Sequence, residues 1–192
     1  MPYATDHVAY GTGIGDVRDV IRGVRARHGR LDGLVHGAGT IEDKLLRDKD
    51  PASFARVFAT KVDGARHLID AAADHGDGPP PGFLVLFGSV AGVFGNRGQA
   101  DYAAANEALD TLADTPSWSQ RFPGRVLAVD WGPWAAEAGG MVTPELERMY
   151  ASRGIPLLDP AAGTAALLAE LAHGTTGQVV LLAQDPGESR HG

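Results

Sequence analysis

The stretch from Phe83 to Leu109 constrains the fold more than any other part of the chain. It opens with Phe83-Leu84-Val85-Leu86-Phe87, five apolar residues held between Gly82 and Gly88. A run of strand formers bounded by glycine is how a strand buried on both faces of a parallel sheet reads. This predicts a central strand, and it puts Ser89 just past the carboxyl end of that strand, where open α/β sheets bind ligands. A loop with three glycines follows, and from about Gln99 an alanine-rich run of good helix formers predicts a helix. Tyr102 and Asn106, four apart, then share one helix face.

Two hydroxyls at the mouth of a sheet can hold one carbonyl oxygen. A cation near Tyr102 would favour its anion, so that the phenol, ordinarily titrating near pH ~10, would become a usable proton donor near neutrality. Taken singly, Ser89 reads equally well as a turn residue, Tyr102 as a half-buried core aromatic and Asn106 as a polar residue on a solvent face. The combination is what points to carbonyl chemistry.

A Ser, a Tyr thirteen residues later and an Asn one turn beyond it, where many relatives have Lys, resembles the short-chain dehydrogenase/reductase superfamily. The branch it is most similar to is the ketoreductase domain of polyketide and polyunsaturated fatty acid synthases. In that branch the lysine comes from the preceding long helix, and Lys61, within Phe58-Ala59-Thr60-Lys61-Val62-Asp63-Gly64-Ala65, stands at the matching place. The strings Leu31-Asp32-Gly33-Leu34-Val35-His36-Gly37-Ala38-Gly39 and Val129-Asp130-Trp131-Gly132-Pro133-Trp134 extend the resemblance from about Arg27 to Leu182.

The resemblance implies a Rossmann-like α/β fold, a doubly wound parallel sheet in the family's strand order 3-2-1-4-5-6-7. It also implies NADPH as cofactor and a β-ketoacyl thioester as substrate, carried by an acyl carrier protein or domain among other synthase domains. Ser89 and Tyr102 would hold the carbonyl oxygen, with Tyr102 supplying the proton. Lys61 would lower the tyrosine pKa and hold cofactor ribose hydroxyls, and Asn106 would order a water in the proton relay. The turn Gly37-Ala38-Gly39 would pass under the adenosine side of the cofactor, and Gly132-Pro133-Trp134 would pack beside the nicotinamide. Read without the resemblance, Gly37 and Gly39 are also what a tight turn needs. Ile41-Glu42-Asp43 resembles the Leu-Asp-Asp motif of ketoreductases giving a D alcohol, with Ile and Glu departing from it.

The opening segment contains Gly11-Thr12-Gly13-Ile14-Gly15-Asp16 between a short apolar run, His7 to Tyr10, and a helical pattern. It is not a dinucleotide fingerprint, because the third glycine of Gly-x-Gly-x-x-Gly would fall at Asp16 and set a negative charge against the phosphates. By resemblance this segment is the third strand and helix of the fold, with Asp16 as helix N-cap and the first two βα units absent. The expectation is an N-terminally truncated domain over residues 1–184, followed by a polar tail over 185–192. Alone, such a chain would bind NADPH poorly and associate through the exposed edge of the fourth strand. A second function class is therefore a catalytically inactive reductase fragment with a structural or docking role.

The remaining elements follow from pattern. Asp50 or Ser53 caps a long helix to about Asp74, with Lys61 near its apolar face. Gly76 to Pro81 is a surface loop, and Thr115-Pro116-Ser117 ends the helix after Tyr102. Arg125 to Trp131 reads as a second buried strand. Ala135 to Pro156 reads as a short mobile lid helix over the substrate entrance, Asp159 caps a helix to about His173, and Gln178 to Leu182 is a last strand.

Composition narrows the partners. The chain has 192 residues, 44% hydrophobic and 21% charged, which suits one soluble globular domain. Its 24 acidic against 17 basic residues argue against a nucleic acid or an anionic membrane as partner. Without cysteine there are no disulfides or thiolate metal sites. Seven histidines show no His-x-x-x-His spacing, so no metal is expected. No apolar run approaches the ~20 residues of a membrane span, and no secretory signal follows Met1, so a cytoplasmic protein is expected. A serine hydrolase would want glycine at Phe87 and Ala91.

Overall fold

Strands β2 (Phe83–Ser89) and β3 (Arg125–Trp131) form the centre of the sheet, paired in parallel from Phe83 against Arg125 to Ser89 against Trp131. In the computed structural model, which describes residues 14–74, 78–135 and 144–183, two shorter parallel strands flank them. β1 (Gly33–His36) pairs with β2 and β4 (Gln178–Leu181) with β3, giving the order β1-β2-β3-β4. The chain thus steps steadily across the sheet, as the last four strands of the expected order would. The apolar runs at 83–87 and 126–129 lie between two helical layers, which is why they do not alternate with polar residues.

Helices α1 (Ile14–His28), α2 (Pro51–Ala73) and α4 (Ala100–Asp114) cover one face. There Val17, Ile21, Ala65, Leu68, Ile69 and Leu109 meet Leu84, Leu86, Val126 and Ala128 of the sheet. On the other face Val85, Leu127, Val129 and Trp131 meet Leu167 and Leu171 of the last helix (Pro160–His173). Each fully buried leucine of this kind contributes about 1.5–3 kcal/mol. Two aspartates start helices as read: Asp50 accepts from Ala52 N at 3.1 Å and Asp159 from Ala162 N at 2.8 Å.

Three local readings change. The expected glycine loop after Ser89 contains a short helix, α3 (Val90–Phe94), with Ser89 as its N-cap, accepting from Ala91 N at 3.2 Å. The break at Thr115 is real but leads into a one-turn helix, α5 (Pro116–Ser119), with Pro at its first position, where its missing N–H is not needed. The third is the start of the first helix: α1 begins at Ile14, which puts Asp16 inside it and not at its N-cap. The helix expected between Ala135 and Pro156 is α6 (Pro144–Ser152), and the helix at Pro160–His173 is α7. The strand expected at residues 7–10, the glycines at 139 and 140 and the tail from 185 lie outside the described residues, as does most of the first half of the loop at 76–81. Among the described residues β1 has no partner on its outer side, and Val35 in it is 55% exposed. Among them, too, no helix is long and apolar enough to cross a membrane.

Candidate active site

The carboxyl ends of β2 and β3 open into a cleft of about 810 Å³ that brings Lys61, Ser89 and Tyr102 together with Gly37 and Gly132-Pro133-Trp134. Each is there for a local reason. Ser89 ends β2, and capping α3 uses one of its oxygen lone pairs, which leaves the O–H free to donate. Tyr102 stands in the first turn of α4, only 9% exposed. Lys61 lies on the inner face of α2, 3% exposed, with Nζ donating to Phe87 O at 2.7 Å and 5.4 Å from the centre of the Tyr102 ring.

The electrostatics correct one expectation. Lys61 does not draw the Tyr102 phenol down; burial pushes it above its ordinary value, hydrogen bonding from Asn106 and Ser89 opposes this, and Asp43 adds to the rise. The physical reason is that desolvation penalises charge of either sign. It acts on Lys61 as well, pulling the ammonium down to about 8 against the attraction of Asp130 and Asp110. Tyr102 in this state holds its proton firmly.

Asn106 is fully buried, and its Nδ2 donates back to Tyr102 O at 2.7 Å. Its Oδ1 has no hydrogen-bond partner, so it is an acceptor turned to no protein donor, which fits a role in holding a water. Of the turn after β1, Gly37 lines the main cleft and Gly39 a smaller adjoining one, while Ala38 lines neither. Neither glycine adopts positive φ, and a Cβ on Gly37 would meet only Phe87 Cδ2, at 4.0 Å. Gly37 thus leaves open space rather than serving a strained turn. Trp134 is seated over α7, where a Cβ on Gly163 would lie 2.5 Å from its Cη2, and its ring centre is 4.7 Å from that of Trp131. Met149, Tyr150 and Arg153 from α6 and the residues after it close one side of the cleft.

The segment from Ile41 to Asp50 is stitched to the start of α4. Lys49 Nζ bonds Asp101 Oδ2 at 2.6 Å and Glu42 O at 2.8 Å, Gln99 Nε2 bonds Asp43 Oδ2 at 3.0 Å, and Lys44 N bonds Gly98 O at 3.0 Å. Glu42 itself turns to Arg56, in two bonds of 3.0 and 2.7 Å that hold its carboxyl down to about 2. The Lys49–Asp101 pair has no signature in the sequence, because its partners are fifty-two residues apart.

A second buried link has no such signature either. His36, the last residue of β1, bonds through Nε2 to Lys61 O at 2.8 Å, which holds α2 against the end of β1. Gly64 makes room for it: a Cβ there would lie 2.7 Å from His36 Cε1, which accounts for a glycine inside a helix at a cost of roughly 0.5–1 kcal/mol. Burial lowers His36 from 6.5 to about 4. The neutral ring is the folded form, so the stability it contributes is full above pH 6.5 and is lost as pH falls toward 4. This loss is expected to reach about 3 kcal/mol. Denaturant melts across that range should show it, and His36→Gln, which keeps an N–H donor but does not titrate, should not. Equal slopes for the two proteins would remove His36 as the cause.

Among the described residues no group of three or more His, Asp or Glu is placed to hold a metal ion. The nicotinamide half of a dinucleotide fits what is present: a cleft beside Gly132-Pro133-Trp134, a buried lysine and an open acceptor at Asn106. The pyrophosphate half has no counterpart among the described residues: the one Gly-x-x-x-Gly-x-Gly string there, Gly33 to Gly39, has its first glycine inside β1 and leads into no α-helix before Pro51, so it is not a glycine turn at a helix N-terminus.

Comparison with known proteins agrees with this geometry. Residues 12–136 match the family model described as the KR domain. The chain is 36% identical over 168 residues to a polyunsaturated fatty acid synthase protein of Thraustochytrium sp., covering 87% of this chain and 6% of that protein. It is 35% identical over 175 residues to polyketide synthase PksN of Bacillus subtilis, covering 88% of this chain and 3% of that one. Among solved structures, a ketoreductase domain from the bacillaene assembly line superposes with a TM-score of 0.75 at 30% identity, over 89% of this chain and 40% of that one. An N-terminal ketoreductase from the macrolactin assembly line does so with 0.74 at 29%, over 90% and 32%. The chain therefore spans a small part of its curated relatives and well under half of the solved chains, and within that span it belongs to the ketoreductase-domain family of polyketide and polyunsaturated fatty acid synthases.

Proposed function

We propose that this stretch carries the catalytic half of an NADPH-dependent β-ketoacyl reductase acting on a thioester held by an acyl carrier protein or domain. The observation that carries the reading is the convergence of Ser89, Tyr102 and Lys61 on one cleft beside Gly132-Pro133-Trp134. When bound there, the cofactor supplies the hydride. The chain's own part is to hold the carbonyl oxygen and deliver a proton to it. Ser89 donates to that oxygen as negative charge develops on it, a preorganised dipole of the kind that stabilises oxyanions. Tyr102, kept protonated by burial, transfers the phenolic proton to the same oxygen as general acid. Lys61 holds a cation within reach of the tyrosinate left behind, and Asn106 Oδ1 anchors a water for reprotonation. Lys61 would also meet the ribose hydroxyls.

The outer edge of β1, unpartnered among the described residues and with Val35 55% exposed, favours a second reading, an inactive fragment with a structural or docking role among synthase domains. NADPH titration of the 192-residue chain separates the two, read by melting temperature and cofactor fluorescence, followed by assay with a model β-ketoacyl thioester. A melting temperature that rises with NADPH, with turnover, supports the reductase in this chain. Neither response, with turnover appearing when a pyrophosphate-binding region is supplied, assigns the chemistry to the site and the cofactor grip to the added part. No turnover in either form supports the second reading.

A further inference from the structure

Behind the two hydroxyls lies a set of buried acceptors that the proposed reaction does not use. Asp110 follows Asn106 by one more turn of α4, so Tyr102, Asn106 and Asp110 run along one helix face, and Asp130 is the β3 residue paired with Gly88. Asp110 and Asp130 are 4% and 0% exposed, and their carboxyls lie within hydrogen-bonding reach of each other. Asp130 Oδ2 accepts from Gln178 Nε2 of β4 at 2.8 Å. Asp130 Oδ1 and both oxygens of Asp110 are left without a well-formed hydrogen bond. Gly88 belongs to the same arrangement, because a Cβ there would collide with Asp130 Oδ1.

Two ionised carboxylates cannot satisfy this geometry. Each is acceptor-only, a buried acceptor without a donor is costly, and like charges in contact oppose ionisation of both. One proton resolves all three problems, since it makes one carboxyl the donor and the other its acceptor. The surroundings supply no substitute. Lys61 of α2 faces the pair, but its Nζ is bonded to Phe87 O. Glu107 and Asp114 of α4 are negative, and β2 and β4 offer only the Ser89 N–H and the Gln178 amide, both directed to Asp130.

We propose that Asp110 and Asp130 share one proton, carried on Asp110, and that this O–H···O link is a positioning device clamping the Tyr102 face of α4 to the end of β3, beneath Ser89. Burial first, then the charges of Asp130 and Glu107, push Asp110 up to about 8, and the bond between the two carboxyls raises Asp110 while lowering Asp130. The inference concerns the packing of α4 on β3 and stands apart from the proposed reaction.

Linkage gives the sign of its effect. A carboxyl raised on folding takes up a proton that the unfolded chain lacks, so stability falls as pH rises from the ordinary carboxylate range to about 8 and is level beyond. His36 acts with the opposite sign between about 4 and 6.5, and Lys61 acts above about 8. The interval from pH 6.5 to 8 therefore isolates the pair.

The test is a carboxyl and tyrosine-ring carbon NMR titration of the 192-residue chain, with pH-dependent unfolding alongside, on wild type, Asp110→Asn and Asp110→Ala. In wild type one aspartate carboxyl should titrate near pH 8, and the Tyr102 ring signal should move with it. Asp110→Asn carries a permanent N–H in place of the proton. It should lose that titration, hold the Tyr102 signal constant and show no fall in stability from pH 6.5 to 8. Asp110→Ala, which cannot donate, should be less stable than the Asn variant throughout. If Asp110→Asn does not fold, Asp130→Asn is measured in the same way with the same expectations. The proposal is overturned if every wild-type aspartate has ionised by about pH 6, if the Tyr102 signal ignores the titration, or if the Asn variant keeps the wild-type slope.

Discussion

Tyr102→Phe is expected to cut ketone reduction by about 10⁴-fold, the upper end of what a positioned general acid contributes, while cofactor affinity changes little. The substitution removes one oxygen and leaves the ring packed with Val57 and Ala91. Lys61 keeps its place because its anchor is Phe87 O rather than the phenol. Ser89→Ala should lose less, on the order of 10²–10³-fold, as for one oxyanion-type donor. Ser89 also caps α3, so its variant needs a melting curve beside its kinetics. Single-turnover reduction of a β-ketoacyl thioester, in a form of the protein that binds NADPH, is the measurement. A Tyr102→Phe rate near wild type would mean that the proton comes from elsewhere, and the assignment of the site would fail.

Lys49→Met is expected to lower stability by about 3–5 kcal/mol, because removing one partner of a buried ion pair leaves the other charge uncompensated. The side chains of Lys49 and Asp101 are 2% and 1% exposed, so solvent does not screen the pair. At roughly 2–4 °C per kcal/mol for a chain of this size, the melting temperature should drop by about 10 °C. Asp101 precedes Tyr102 and accepts from its backbone N at 2.9 Å, so the loss should also disturb the mouth of the cleft. Lys49→Met with Asp101→Asn should recover much of the stability, since no charge is then stranded. Denaturant unfolding of the single and double variants decides it. A single-variant loss below about 1 kcal/mol, the range of an exposed pair, would show that the pair is open to water in solution.

These two effects differ in how far they could be read beforehand. The place of Tyr102 in the cleft was legible because it rests on short range: an apolar strand, a serine at its end and a helix with Tyr102 and Asn106 four apart. Lys49 was not, because a lysine in a polar loop reads as a solvated charge until the chain is folded and Asp101 stands against it. His36 and Gly64 form a similar case. A histidine before a glycine turn and a glycine inside a helix are each ordinary alone, and only their contact explains both.

The strands, the long helices and the residues of the cleft could be taken from the sequence because each depends on periodicity, on caps such as Asp50 and Asp159, or on a local string. What the tertiary structure alone decided was the electrostatics. Whether Lys61 would draw Tyr102 down depended on how much water each retains, and burial proved the larger influence on both. The Asp110–Asp130 contact likewise brings together one residue of a helix face and one of a strand whose neighbours are apolar. Charge state follows from desolvation and from the three-dimensional arrangement of partners, and neither quantity is written in the spacing of residues along a chain.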